Sequence, residues 1–511
     1  MMQRSQFYRQ QGLVDQESLQ QKNILVTGSS LGVSNLLVLL DQVGFGHGAG
    51  KITILPPTQK PNSPFFSLYY HGAKTWNELV ELRDGRFELI NGSINKNDFD
   101  YILSINPADF ISADLYSYFS GPRAKLSRSQ IETDLNDNHI LNQSMSVVCA
   151  SAMIHQMMND LALISKAKVS DAWITVTCRV EATDVEEASE YITGLNGELL
   201  DFTPTSDGLG LLARYRIRHD IDLNPHKFIN RQMQKPNIDD LISSDVGIVK
   251  WDDTTNSLDR SWGIENPKLL FLGAGALGSW SIPLFAKELV SGSIDIVDGD
   301  DEIEIHNLNR QVMYNQGDIG NPKAQVAQER IRSLNMELMV NCYSEYLNPG
   351  HVISQELDIE FDDLDFPTSN LPQSIEDSDI YFACLDNMLA RKILSDAATI
   401  HNKPMINGAT EAFTGIVEQL GNNNSCMVCR YGRETATSTE VVSCTEEGER
   451  PIASIVTSSA WTGAMMAALG MIHFHPSADL SKLRYTLDEG KISSITAEKP
   501  PWFSEDCIYH I

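Results

Sequence analysis

Basic residues are scarce in this chain: 39 Lys and Arg stand against 68 Asp and Glu, a net charge of −29 over 511 residues. That deficit argues against a nucleic-acid backbone or an anionic membrane as the main partner, because both reward Lys and Arg. Its first effect is solubility, and a local positive cluster can still hold phosphate inside an acidic protein. Long apolar runs are missing too. No stretch approaches the ~18 apolar residues that a membrane span needs, and residues 1–16 (MMQRSQFYRQQGLVDQ) have no apolar core to read as a secretory signal. Cysteine is sparse: 8 are too few for a disulfide scaffold at this length. Four of them fall between Cys384 and Cys444, which reads as metal or catalytic use in a reducing compartment. The expected location is the cytoplasm.

What is present is globular. Hydrophobic residues make up 42% and charged residues 21%, and the length predicts two or three domains. Two segments echo each other. Residues 22–54 and 268–298 each run as an apolar strand, a Gly-containing turn, an amphipathic helix, a Gly-rich turn and a second apolar strand. That is the opening β-α-β of a nucleotide-binding parallel sheet, so the expected fold class is α/β with two Rossmann-like parallel-sheet repeats. The second repeat keeps Gly273-x-Gly275-x-x-Gly278, with Asp298 at its second strand end. The first has Gly28-Ser29-Ser30-Leu31-Gly32, lacks the middle glycine, and reaches Pro56-Pro57 where a carboxylate is expected. It reads as the same fold with its nucleotide site worn away.

The expected divisions are 1–150, a degenerate repeat; 151–245, a small α/β insertion and linker; and 246–511, the intact domain. Within the insertion, 172–180 and 211–217 read as strands and 185–195 as a helix. Residues 358–379 read as a polar loop or short crossover, and the Met-rich stretch 465–471 as part of a buried helix.

A GxGxxG turn alone is weak evidence, and dehydrogenases are its commonest owners. The residues downstream of the turn decide the matter: Asp298-Gly299-Asp300-Asp301, Asn307-Leu308-Asn309-Arg310-Gln311, Lys323, Cys384-Leu385-Asp386-Asn387 with Arg391, and Asn407-Gly408-Ala409-Thr410. With these motifs the chain resembles the ubiquitin-activating enzyme superfamily and its bacterial ThiF-type sulfur-carrier adenylyltransferases. The resemblance covers 265–511 well and 1–150 weakly. A nicotinamide oxidoreductase would leave the Asn307–Gln311 motif and Lys323 without a purpose.

The resemblance implies ATP and Mg²⁺ as cofactors, and a carboxylate of a small protein or peptide as substrate. Joining a carboxylate to an α-phosphate brings anions together, so cations must offset their charge. Arg310 and Lys323 are the expected cations and Asp386 the expected Mg²⁺ ligand, with a helix N-cap as its structural alternative. Gly273, Gly275, Gly278, Asn307, Asn309, Gln311 and Asn387 are expected to line the nucleotide. Asp298 lies one residue further from Arg310 than the family spacing, so the ribose ligand stays open between Asp298 and Asp300 or Asp301. Phe7-Tyr8-Arg9-Gln10 resembles a family segment whose Arg reaches a partner's ATP site. Arg9 would play that part if the two halves form an intramolecular pseudo-dimer, and a further homodimer stays open.

Cys426-x-x-Cys429 and Cys507-x-x-His510 stand where relatives place two CxxC pairs, which implies a structural Zn²⁺ held by three thiols and an imidazole. Cys444 lies where several relatives carry a thioester-forming cysteine; the alternative is a plain exposed or half-buried thiol. Cys149, Cys178 and Cys342 read as inert and Cys384 as core. Two substrate classes remain open: a ubiquitin-like protein with a glycine-ended tail, or a ribosomally made peptide, with the insertion as its docking module. A catalytically inactive scaffold is the reading from another class.

Overall fold

The computed structural model describes residues 6–7, 10, 13–164 with breaks at 84, 93, 108–110, 122 and 131–138, the segments 173–180, 198–204, 211–218 and 246–247, and residues 266–352, 369–421, 425–437, 454–474, 483–488, 491–496 and 507.

The first sheet is built from β1 (Ile24–Gly28), β2 (Ile52–Ile54), β3 (Phe87–Leu89), β4 (Tyr101–Ile105), β5 (Leu115–Ser120) and β6 (Arg123–Ser127), in the order β3-β2-β1-β4-β5-β6. Among these six strands the pairings are parallel except β5 with β6. Continuous apolar runs such as Ile24-Leu25-Val26 form its centre, because strands covered on both faces have no polar side to show. A separate three-stranded antiparallel sheet has the order β7-β9-β8, from β7 (Trp173–Val180), β8 (Glu198–Pro204) and β9 (Leu211–Arg218). The strands expected at 172–180 and 211–217 are both present. β8 was not anticipated, and the helix expected at 185–195 lies outside the described residues. β10 (Val246–Gly247) returns to the first sheet and pairs antiparallel with β6.

The second sheet repeats the first. Its strands are β11 (Lys268–Leu272), β12 (Ser293–Val297), β13 (Met339–Tyr343), β14 (Ile380–Ala383), β15 (Pro404–Glu411), β16 (Thr414–Gly421), β17 (Leu483–Asp488) and β18 (Lys491–Thr496). Their order is β13-β12-β11-β14-β15-β16-β17-β18. The first five are parallel neighbours and β16, β17 and β18 add antiparallel. The expected parallel sheets are therefore mixed, with an antiparallel edge on each. The end of the polar stretch expected at 358–379 is a short helix, Leu371–Asp377.

Helices cover the sheets: α1 (Ser30–Val43), α2 (Pro64–Tyr69) and α3 (Asn142–Asp160) on the first, then α4 (Gly278–Glu288), α5 (Lys323–Leu334), α6 (Met388–Ile400), α7 (Met427–Tyr431) and α8 (Val456–His473) on the second. α8 is apolar on every side and buried throughout most of its length, including Met465, Met466 and Met471. It packs against α3 and α4. Among the described residues no helix is long and apolar enough to cross a membrane.

One apolar cluster runs from α1 and α3 into α4 and α8, so the two sheets share a core. Phe65 of α2 lies on Trp280 of α4 with ring centroids 4.6 Å apart. The Gln42 amide donates to the Leu308 carbonyl at 3.3 Å. Trp280 is fully buried at this seam. Trp280→Ala should cost about 3–5 kcal/mol, read as a lower urea midpoint at unchanged slope.

Candidate active site

Strand order reverses beside β11: β12 lies on one side of it and β14 on the other. In open α/β sheets the crevice at that switch point is where ligands bind. The turn from β11 into α4 fills it, and its three glycines do three different jobs. Gly273 has a φ of +93°, and a Cβ there would lie 2.4 Å from the Cys384 carbonyl oxygen. Gly278 packs helix onto turn, and a Cβ would stand 2.1 Å from the Gly273 carbonyl oxygen. Gly275 faces open space, where a Cβ would meet only Gln311 Nε2, at 3.6 Å. The middle glycine is therefore the one that keeps room for a ligand. No side chain caps the N-terminus of α4, so its first N–H groups carry the partial positive charge that favours a phosphate.

The equivalent turn in the first half is closed. A Cβ on Gly28 would lie 1.9 Å from the Ile105 carbonyl oxygen, and one on Gly32 would enter the Ile105 side chain at 2.6 Å. Ser29 caps α1 by accepting from Gly32 N at 3.3 Å. Ser30 donates to the Lys60 carbonyl, and Ser63 Oγ donates to Asn35 Oδ1 at 2.6 Å. Residues 60–63 thus lie over the helix start that a phosphate would need.

Around the open turn the acidic strand end is ordered. Asp298, just past β12, accepts from Ala274 N at 2.7 Å and from Asp300 N at 3.0 Å. Burial raises its carboxyl above the usual range, against the pull of Lys323. Asp300 pairs with Lys323 Nζ and accepts from the Tyr346 hydroxyl at 3.0 Å. Burial opposes its ionisation, but the Lys323 charge and hydrogen bond outweigh it and hold the carboxyl low. Lys323 begins α5 and is buried, with its ammonium on this carboxylate. Tyr314, which sequence reasoning missed, reaches the Ala274 carbonyl at 2.8 Å and the Lys323 carbonyl at 3.3 Å.

Arg310 follows a 3-10 turn at Ile305–Asn307. Its guanidinium is buried and donates to the His306 carbonyl at 2.8 Å and to Asn309 Oδ1 at 3.0 Å. Asn307 closes the turn by accepting from Glu304 N at 2.9 Å. Asn309 Nδ2 and Gln311 Oε1 are buried without a hydrogen-bond partner among the described residues. Orphaned polar atoms are uncommon in a finished interior, and the Gln311 amide is the group nearest the space at Gly275.

On the other side of the crevice, Asp386 is exposed beyond the end of β14. The N-cap of α6 is Asn387, which accepts from Ala390 N at 2.8 Å, so capping does not occupy Asp386. Arg391 is buried and donates to the carbonyls of Gly408 (2.6 Å) and Leu385 and to Asn407 Oδ1. Cys384 is core as expected, its thiol pushed up to about 12 by burial. Cys149 is raised to about 12 for the same reason.

Cys426, Cys429 and Cys507 come together, all within 4.8 Å of one another and all buried. Cys426 N-caps α7, and its sulfur lies 3.4 Å from that of Cys507. His510, the expected fourth ligand, lies outside the described residues, as do Cys444 and Arg9. The neighbours of Arg9 are placed: Phe7 meets His47 edge-on at 5.1 Å, and Gln10 donates to the Val43 carbonyl at 2.7 Å, at the end of α1 next to Gln42. A cleft of about 520 Å³ opens nearby, between Arg83 and Arg86 of the first half and Leu308, Tyr314 and Arg330 of the second. Gly273, Gly275, Gly278, Arg310, Lys323 and Asp386 do not line it, so it is not the site just described.

Residues 258–501 match the ThiF family. A sulfur carrier protein adenylyltransferase of Thermus thermophilus is 28% identical over 213 residues, covering 40% of this chain and 68% of that protein. The SAMP-activating enzyme E1 of Haloferax volcanii is 27% identical over 224 residues, covering 44% and 68%. The adenylyltransferase and sulfurtransferase UBA4 of Kluyveromyces lactis is 28% identical over 198 residues, but the match spans only 40% of its length. Among solved structures, MccB of E. coli is 19% identical with a TM-score of 0.36, covering 46% of this chain and 64% of that one.

The glycine assignments are directly testable. Gly275→Ala should leave the thermal midpoint within a few degrees and weaken ATP binding roughly ten-fold or more, whereas Gly278→Ala should lower the midpoint itself. Thermal unfolding and calorimetric ATP titration of the two variants distinguish these effects.

Proposed function

Residues 258–501 are a ThiF family domain, and from that premise we propose that the chain activates a carboxylate of a small carrier protein or peptide as its acyl-adenylate. The observation that carries this is the open glycine turn at an uncapped helix start, with cations on one flank and an exposed Asp386 on the other. A carboxylate oxygen attacks the α-phosphorus, the bond to the bridging oxygen of the β-phosphate breaks, and pyrophosphate leaves with its electron pair. Lys323 and Arg310 offset the charge on the phosphates. Lys323 already sits on Asp300, so a phosphate would take over a carboxylate's place rather than draw a solvated ammonium inward. Asp298 and Asp300 are the candidates for the ribose hydroxyls.

Mg²⁺ fits Asp386, a single exposed carboxylate, because this ion keeps several waters and takes its remaining ligands from phosphate. Bound there, it would neutralise charge on the leaving pyrophosphate. Zinc fits the cysteine cluster: a tetrahedral thiolate site has sulfurs about 3.8 Å apart, given Zn–S bonds of about 2.3 Å, and the three sulfurs lie within 4.8 Å. His510 would complete the set. Arg9 would reach the phosphates from the first half, whose own turn is plugged; on this reading the halves act as a pseudo-dimer within one chain.

A peptide substrate is the second reading. β7 and β8 are each paired on one side only among the described residues, and such edges accept an extended peptide as an added strand. Transfer onward to Cys444 is proposed as a later step.

ATP–pyrophosphate exchange tests the main reading. It should require a partner polypeptide and fall about 100-fold or more in Asp386→Ala and in Arg310→Ala. Exchange absent with every carrier protein and peptide tried would favour a binding scaffold. Metal analysis should find one zinc per chain, lost together with thermal stability in Cys429→Ser.

A further inference from the structure

The cleft between the two halves is separate from the nucleotide crevice and has a composition of its own. Its volume of about 520 Å³ falls within the range of sites that hold small organic molecules. Three of its lining side chains are arginines, Arg83 and Arg86 from the first half and Arg330 from the second, and Asp318 is the carboxylate beside them. In a chain of net charge −29, composition does not lead one to expect such a gathering of cations.

The three guanidiniums are held in different ways. Arg330, on α5, is committed: its Nη2 donates to both carboxylate oxygens of Asp318 at 2.8 Å. Arg86 leads into β3 and donates from Nη1 to Asp41 Oδ1 at 3.0 Å. Asp41 is wholly buried, and His47 Nε2 meets the same oxygen at 2.7 Å. Arg83 caps the C-terminus of the helix Trp76–Leu82 and makes no hydrogen bond among the described residues. Its Nε stands 3.7 Å from Asp41 Oδ2, near enough for charge attraction but too far for a hydrogen bond. Aromatic rings hold it in place instead: the guanidinium carbon lies 5.5 Å from the Tyr69 ring centroid and 5.4 Å from that of Tyr70. Three guanidiniums against the carboxylates of Asp41 and Asp318 leave positive charge in excess, even with the His71 imidazole neutral. The open donors are those of Arg83.

Much of the remaining wall is apolar, from Tyr69, Leu82, Leu308 and Tyr314. A guanidinium with open N–H groups takes a carboxylate or a phosphate through paired hydrogen bonds. An inorganic anion would leave the apolar wall, and most of the volume, unused. We propose that the cleft is a binding site for a small organic anion, a carboxylate or phosphate ester on an apolar body. The charged group would meet Arg83 and Arg86, and the body would lie against Leu82, Leu308 and Tyr69. Tyr314 spans the wall towards the nucleotide turn, since it lines the cleft and its hydroxyl donates to the Ala274 carbonyl at 2.8 Å. The ligand would therefore bind beside ATP and not in its place. The site does not depend on the adenylation reading.

Calorimetric titration of the full chain with phenyl phosphate, phenylacetate and inorganic phosphate is the test, each with and without a saturating non-hydrolysable ATP analogue. At least one of the two aryl anions should bind saturably in the millimolar range or tighter, and more tightly than inorganic phosphate. Which of them binds distinguishes a phosphate from a carboxylate ligand. The ATP analogue should leave that binding in place. Arg83→Gln should weaken it roughly ten-fold or more, as for loss of a charge-assisted hydrogen bond. If Arg83→Gln does not fold, Leu82→Glu takes its place: Leu82 is 46% exposed, so a carboxylate there spares the core and should weaken binding by repulsion. Binding of neither aryl anion, or binding that the ATP analogue abolishes, overturns the proposal. So does inorganic phosphate binding as tightly as the aryl anions, or an affinity unchanged in the folded variant.

Discussion

The turn between β11 and α4 depends on side chains that are absent. Backbone from β14 presses against Gly273, with the Cys384 carbonyl where a Cβ would be, and the Gly273 carbonyl presses against Gly278 in the same way. Between these two contacts Gly275 is left facing open space. Close packing on either side and room in the middle are the same constraint. It points the uncapped start of α4 into the crevice and brings β12, with its acidic end, to one side of β11 and β14, with Asp386, to the other.

The first half follows the same strand order and uses it differently. Its helix start is capped by Ser29 and roofed by residues 60–63. What it keeps is packing surface: α1, α2 and α3 complete the core beneath α4 and α8. The end of α1 touches the Asn307–Gln311 motif through Gln42, and the placed neighbours of Arg9 dock at that same end. A half without an open phosphate site is thus retained as one wall of the other half's interior.

Charge in the second half is arranged in pairs, each with a cost. Lys323 is buried but meets Asp300, and Arg430 is buried but meets Glu418. Arg391 is buried with carbonyl and amide oxygens in place of a carboxylate. Desolvated cations of this kind are tolerated only where geometry satisfies them, so they fix the loops that carry them. In a chain of net charge −29 they also make the crevice an exception to its surroundings.

Much of this was legible in the sequence. Glycine spacing, the Asn307–Gln311 run, Lys323 and the Asp386-Asn387 pair are local patterns, each set by a turn, a strand end or a helix start that a few neighbouring residues define. Cys426-x-x-Cys429 was legible for the same reason, as one knuckle on one short helix. The rest depends on which strands lie side by side. Nothing near Glu418 in the chain indicates that it would meet Arg430 and the Asn407 amide, and Tyr314 and Tyr346 carry no motif. Spacing likewise did not tell Asp298 from Asp300, whereas the fold sets one against the glycine turn and the other on Lys323. The sequence by itself determined the glycine turn and the strand ends and helix starts beside it, because turn chemistry is local. Only the tertiary structure decided what closes the turn of the first half and how the buried charges of the second are compensated, because both depend on groups far apart in the chain that meet when the sheets assemble.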